Sequence, residues 1–319
     1  MHLTWRTLIV YLFVEEYLSL GIVNSSQVIS LHQDGRLYKG ENSPTTRQNA
    51  NQTEFHFSAF NRTFHISLQK NKLLISPNFK VVHQTQSGFL RENVQVRDCY
   101  YQGHLVGDKN SFVVFRTCGG VEGFIKTETG DIFVVESSSS SSNSKVVIRK
   151  KDVTTNLLTT RRICDVNKTN IRNSTVRINP LRTRTQSNIY STGKSMKYIE
   201  LVLVMDSREF KKYTTHCTTR AFALMNYVDK VYRGLDTRVA FTQLVIWKDK
   251  DPIKVSSSGT DTLSEFQKYV QQTLFGSMKI KADSAVLLTG VDFAGSLAGV
   301  AGLGTMCSRS SGAVVGDQG

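Results

Sequence analysis

No stretch of the 319 residues reaches the ~18 apolar residues that a membrane-spanning helix needs. No block of five or six like charges occurs either, although Lys and Arg outnumber Asp and Glu by 40 to 26 and the net charge is +14. Basic residues scattered in this way describe a solvated surface and not a nucleic-acid tract. Cysteine is sparse and odd in number: Cys99, Cys118, Cys164, Cys217 and Cys307. An odd count leaves at least one thiol free or awaiting an outside partner. The catalytic absences exclude more. There is no H-E-x-x-H, no G-x-S-x-G elbow and no phosphate loop. No two histidines stand at i, i+4 on a helical face. Gly302-Leu303-Gly304 is a bare Gly-x-Gly, too short to assign a dinucleotide site. Composition and spacing alone therefore name no reaction.

What is present begins with a secretory signature. Arg6, the apolar Thr7 to Val14 and the small residues Ser19 to Gly21 read as a signal peptide over residues 1–21, although Glu15 and Glu16 interrupt it. Sequons start at Asn24, Asn51, Asn61, Asn167 and Asn173, none with proline in the middle. Five of them behind such a start favour a secreted or cell-surface protein and disfavour nucleic acid as a partner.

From Phe55 the pattern is β. Phe55, Phe57 and Ala59 alternate, then Phe64, Ile66 and Leu68, with Asn61-Arg62 between them: a hairpin. Short apolar runs at Phe112 to Phe115, Phe124-Ile125 and Ile132 to Val135 extend a short-stranded antiparallel module. Cys99 and Cys118 flank its middle, and in an oxidising compartment they are expected to pair. Ser137 to Ser142 is a serine run that buries nothing and reads as an exposed loop. Residues 151–196 are polar and basic, hold Cys164, and read as a connector.

At Tyr198 the texture changes. Tyr198 to Asp206 is an almost unbroken apolar strand interrupted by Glu200, a carboxylate that is costly in a buried strand unless paired or bound to a metal. Ala221, Leu224, Val228, Val231 and Leu235 share a helical face. Arg238 to Trp247 is a second strand. Thr262-Leu263-Ser264-Glu265 reads as a capping box opening a helix, and Ala285 to Thr289 is a third strand. Gly299 to Cys307 and Ala313 to Val315 read as lighter edge strands. The order β-α-β-α-β predicts an α/β domain with a mostly parallel twisted sheet, behind a β-rich first half.

Several short motifs, in this order, carry a resemblance. They are Cys99-Tyr100-Tyr101-Gln102-Gly103, Cys118-Gly119-Gly120-Val121-Glu122-Gly123, Lys197-Tyr198-Ile199-Glu200-Leu201, Val245-Ile246-Trp247, Ala282-Asp283-Ser284-Ala285 and Gly302-Leu303-Gly304-Thr305-Met306-Cys307-Ser308. Together they resemble the front part of an ADAM/reprolysin (snake-venom-like) zinc metalloprotease precursor. The resemblance implies a prodomain over residues 22–150, a connector with a cysteine switch over 151–196, and the N-terminal part of a metzincin-like catalytic domain over 197–319. It implies a Zn²⁺-dependent endopeptidase of extracellular or cell-surface proteins, with its own prodomain as inhibitor and any membrane anchor further downstream. The zinc helix of such enzymes would follow Gly319, so no catalytic residue is expected in this chain and the chain alone is expected to be inactive. The alternative is a non-catalytic adhesion protein or a prodomain inhibitor.

The resemblance also implies site residues. Cys164 is the zinc-directed switch thiol of the latent form, although Asp165 follows it where the family commonly has Gly. Glu200, Asp283 and the backbone of Cys307 are expected to hold Ca²⁺. Ala298, Gly299, Val300, Ala301, Gly302 and Leu303 are the edge strand that pairs with an extended substrate.

Overall fold

The computed structural model describes residues 25–30, 51–95, 97–137, 145–151, 163–167, 196–295, 297–308 and 310–317. The expected signal peptide, Asn24, Asn173 and most of the connector lie outside them.

Among the described residues the first half contributes eleven strands. They are β1 (Ser25–Ser30), β2 (Gln52–Ala59), β3 (Arg62–Lys70), β4 (Ile75–Thr85), β5 (Gly88–Glu92), β6 (Tyr100–Leu105), β7 (Asp108–Arg116), β8 (Glu122–Lys126), β9 (Ile132–Ser137), β10 (Lys145–Lys151) and β11 (Ile163–Asn167). The second half adds β12 (Lys197–Met205), helix α1 (Ser207–Tyr213), helix α2 (Cys217–Arg233), β13 (Thr237–Trp247) and helix α3 (Gly259–Tyr269). It ends with β14 (Ser284–Thr289), β15 (Leu297–Gly302) and β16 (Ala313–Gly316).

Two eight-stranded sheets result. The first, in the order β1-β10-β9-β8-β7-β6-β3-β2, is antiparallel throughout. Its inner face is aromatic. Phe57 stacks on Phe64 at 4.7 Å, and Phe64 meets Phe133 edge-on at 4.9 Å. The sheet curls around this core until its two edges approach, and the Phe60 N–H donates to Gln27 Oε1 at 2.7 Å. The Cys99–Cys118 disulfide forms beside it.

The second sheet runs β11-β15-β16-β14-β12-β13-β4-β5. Its central strand is β12, flanked in parallel by β13 and β14. Both faces of β12 are covered. Ile199, Leu201, Leu203 and Met205 pack in the core layer that holds Ala221, Leu224 and Val228 of α2. Val202 and Val204 pack in the layer that holds Leu263 and Phe266 of α3. A strand buried on both sides cannot alternate in polarity, which is why it reads as one apolar run.

The structure corrects three expectations. Among the described residues most ladders are antiparallel. The parallel ones are confined to the second sheet, which is itself mixed, since β15–β16 and β4–β5 are antiparallel. Second, β4 and β5 leave the first-half module. β4 pairs in parallel with β13, with Lys80 to Gln84 opposite Gln243 to Trp247. Its Val81 and Val82 point into the two opposite core layers, so it belongs to the sheet as fully as β12 does. Third, α3 starts before the expected capping box. Ser258 is the N-cap and its Oγ accepts from the Asp261 N–H, while Thr262 Oγ1 takes the Ser256 N–H instead.

The two sheets meet at α2. Tyr227 of α2 sits against Phe112 and Phe124 at 5.0 and 5.5 Å. Beside this apolar contact lies a buried polar network. Asn71 Nδ2 donates to Asn226 Oδ1 and Asp229 Oδ2, and Gln102 Nε2 donates to the same Asp229 oxygen at 3.0 Å. Arg238 from β13 closes it with bonds to Asp229 and to Asn71 Oδ1.

Candidate functional site

The edge expected to take substrate is already taken. β15 lies between β16 and β11, and β11 pairs with it in parallel. Cys164 stands opposite Gly299, Asp165 opposite Val300, Val166 opposite Ala301 and Asn167 opposite Gly302. The connector thus carries a strand, and the expected switch residue stands in register with the expected substrate strand. The strand is shorter than predicted: it stops at Gly302, and Leu303 lies in a turn held by the Thr305 hydroxyl donating to Gly302 O at 3.0 Å. Gly299 is required sterically, because a Cβ there would sit 2.7 Å from Val314 O.

Asp283 links the other expected residues. Its Oδ2 accepts from the Glu200 N–H at 2.8 Å, and its own N–H donates to Glu200 O at 2.9 Å. The Cys307 N–H donates to Asp283 O at 3.0 Å, and the Cys307 thiol lies 3.3 Å from Oδ1. Burial, then the neighbouring Asp283 carboxylate, pushes the Cys307 thiol up. Glu200 itself is exposed at the start of β12, so it meets no desolvation cost. Its carboxylate and that of Asp283 are hard oxygen donors from separate segments, which suits calcium. One Asp283 oxygen is committed to a backbone amide and the other faces a thiol.

A buried acidic cluster at the C-terminal end of β12 was not anticipated from sequence. Asp206 caps α1, accepting from the Glu209 N–H at 2.8 Å and from the Thr289 hydroxyl and the Gly290 N–H. Glu209 is fully buried, and no donor reaches either of its carboxylate oxygens. Burial, then the charge of Asp317, raises its pKa to about 8, so it is protonated at neutral pH and can donate to Asp317. Asp317 is held by Arg220 through both oxygens at 2.8 Å. Cys217 is a free thiol buried beside Glu209, pushed up to about 11 mainly by burial. It is not paired with Cys307. In sequence Glu209 looks like an ordinary surface residue of a short polar helix, so only the fold reveals it.

Residues 197–319 match the sequence model of the Reprolysin (M12B) family zinc metalloprotease, and residues 22–106 match that of the Reprolysin family propeptide. The chain belongs to the reprolysin (M12B) family. It joins the family's propeptide to a stretch of its metalloprotease, and the reprolysins are zinc enzymes. A solved structure, metalloproteinase-II from Bacteroides fragilis, is similar over 96% of this chain and 80% of its own, at 11% identity and a TM-score of 0.43.

This reprolysin chain has no H-E-x-x-H in its 319 residues. Among the described residues, the one group of three convergent His, Cys, Asp or Glu ligands lies in the other sheet, on β2 and β3. The residues present therefore do not make the family's zinc site. Of the sequons, Asn51 and Asn61 are exposed at the two ends of β2. No described helix is long and apolar enough to cross a membrane.

Proposed function

We propose that this chain is the latent precursor form of a secretory-pathway zinc metalloendopeptidase acting on extracellular or cell-surface proteins. The observation that carries the proposal is the β11–β15 ladder. A substrate strand pairs with an exposed sheet edge through its backbone. β11 occupies that edge from the same chain, so it competes with substrate for the same amides and carbonyls. Cys164 is the residue of β11 that would supply a thiolate to the family's zinc, at the place where the attacking water would otherwise bind. The 319 residues supply no zinc ligands of the family type, and on this reading they do not hydrolyse peptides by themselves. Calcium held by Glu200, Asp283 and the Cys307 backbone, glycans at the sequons and cleavage of residues 1–21 belong to the same reading.

The test is direct. Val166→Pro removes an N–H from the middle of β11. Hydrogen exchange of residues 297–302 should then rise, while exchange in β12 stays unchanged. Unchanged exchange at 297–302 would sink the shielding role. The thiol role is tested by adding residues 22–196 to an active zinc-bearing relative: Cys164→Ala should weaken inhibition, and equal inhibition by both forms rejects it.

A further inference from the structure

The β2–β3 hairpin carries a second concentration of ligand chemistry that latency does not use. His56 and His65 are directly opposite each other in the antiparallel ladder, and Glu54 is two pairs further along, opposite Ser67. All three therefore project from one face of the hairpin. The other face carries Phe55, Phe57, Phe64 and Ile66 into the core of the first sheet. The aromatic side fixes the strand register, because a slip by one residue would turn phenylalanines outward. The two imidazoles are thus held together by a core they do not join.

Their geometry is convergent. The ring centroids are 3.8 Å apart. Glu54 Oε2 is 3.2 Å from His65 Nε2 and 3.8 Å from His56 Nε2. A tetrahedral ion with bonds of about 2.1 Å holds its donors about 3.4 Å apart. These two separations bracket that spacing, and the three donor atoms all lie within 4.8 Å of one another. The side chains are about one third to one half exposed, so small rotations can close the set and leave an outward position for water. The flanking positions on this face, Ser58, Thr63 and Ser67, are uncharged. The next titratable group is His104 of β6, opposite Ser67.

We propose that Glu54, His56 and His65 form a binding site for a divalent transition-metal ion, of the zinc, copper or nickel kind, on the propeptide hairpin. Two imidazole nitrogens and one carboxylate select such ions over calcium and magnesium, which take oxygen ligands. The site is distinct from the family's catalytic zinc: it lies in the other sheet and uses no residue of 197–319. A bound ion would bridge β2 to β3 across the solvent face.

The experiment is calorimetric titration of the metal-free 319-residue chain with Zn²⁺. It is done in the intact form and in a Cys164→Ala, Cys217→Ala, Cys307→Ala form that removes competing thiols. One ion per chain is expected in both. His56→Ala and His65→Ala, made in the thiol-free form, should each weaken binding by more than about tenfold, the range that loss of even an outer-shell partner reaches. Glu54→Gln tests the same site with a near-isosteric change, and far-UV circular dichroism checks that each variant is folded. Co²⁺ in place of Zn²⁺ should give visible d–d bands that vanish in the His variants. The proposal is overturned if the thiol-free chain binds no Zn²⁺, or if folded His56→Ala or Glu54→Gln binds it unchanged. Either result would leave the cluster a surface hydrogen-bonded pair with a stacked neighbour.

Discussion

Arg238 and Asp229 face each other wholly inside the molecule, with Nε 2.8 Å from Oδ1 and a terminal guanidinium nitrogen 2.9 Å from Oδ2. The pair belongs to the protease half, yet it is completed by Asn71 and Gln102 from the propeptide half. Asp229 also accepts the Val239 N–H at 2.9 Å, so its carboxylate is saturated. Removing Asp229 leaves a buried guanidinium unpaired. Asp229→Ala is expected to destabilise by about 3–5 kcal/mol, and Asn71→Ala by about 1–3 kcal/mol. Urea unfolding followed by tryptophan emission measures both, since Trp247 is buried in the second sheet. A cost below about 1 kcal/mol for Asp229→Ala would show that water replaces the network.

The Cys99–Cys118 bridge closes a short loop next to Tyr100, which packs on Phe222 of α2 at 5.6 Å. Replacing both cysteines by serine should cost about 3 kcal/mol, through the freedom restored to the unfolded chain. Thermal melts with and without reductant test it. A double variant that melts with the oxidised parent would contradict the expectation.

Glu209 sets a pH dependence of known sign. Its folded pKa is raised to about 8 from 4.5, so the folded chain keeps a proton that the unfolded chain has lost. Its contribution to stability is complete below about pH 4.5 and is lost as pH rises toward 8. Asp206, also raised by burial, acts in the same direction. Unfolding free energy should therefore decline across this window, and Glu209→Gln should flatten the decline. A parent profile with no decline, or a Gln variant with the same slope, would refute the assignment.

Gly299→Ala forces a methyl group against Val314 O. The β15–β16 ladder must shift, and a loss of about 1–3 kcal/mol is expected from overpacking. Gly295→Ala offers a contrast: open space surrounds it, but its φ of 72° strains any L side chain. Comparing the two by denaturant midpoint separates a steric cost from a backbone one. Equal values would deny Gly299 its packing role.

The sequence revealed what depends on local pattern. The apolar run of β12, the helical face of α2 and the alternation of β2 and β3 each follow from a period that burial imposes. The motif order also revealed the family. What it concealed depends on distant pairing. Nothing in Lys80 to Gln84 announces that this segment leaves its neighbours for β13, because a strand buried on both faces looks the same in any sheet. The polar connector gave no hint of β11, since a strand added at an edge draws its bonds from the backbone. Glu209 stays hidden for a similar reason. The two charged groups that act on it, Asp317 and Arg220, lie respectively 108 and 11 positions onward, and the pairing of those two is beyond any local window.

The two ends of the second sheet have a consequence for maturation. β5 and β4 lie beyond β13 on one side, and β11 lies beyond β15 on the other, so residues before 197 guard both margins. An unpaired margin invites association with any passing strand. Cutting the chain within 168–195 would sever no ladder among the described residues. The nicked pieces would stay married through β4 and the Asn71–Asp229 contacts. Were the chain cut there, departure would be a second and separate event, and it alone would uncover β13 together with β15 and leave the sheet sticky as well as open.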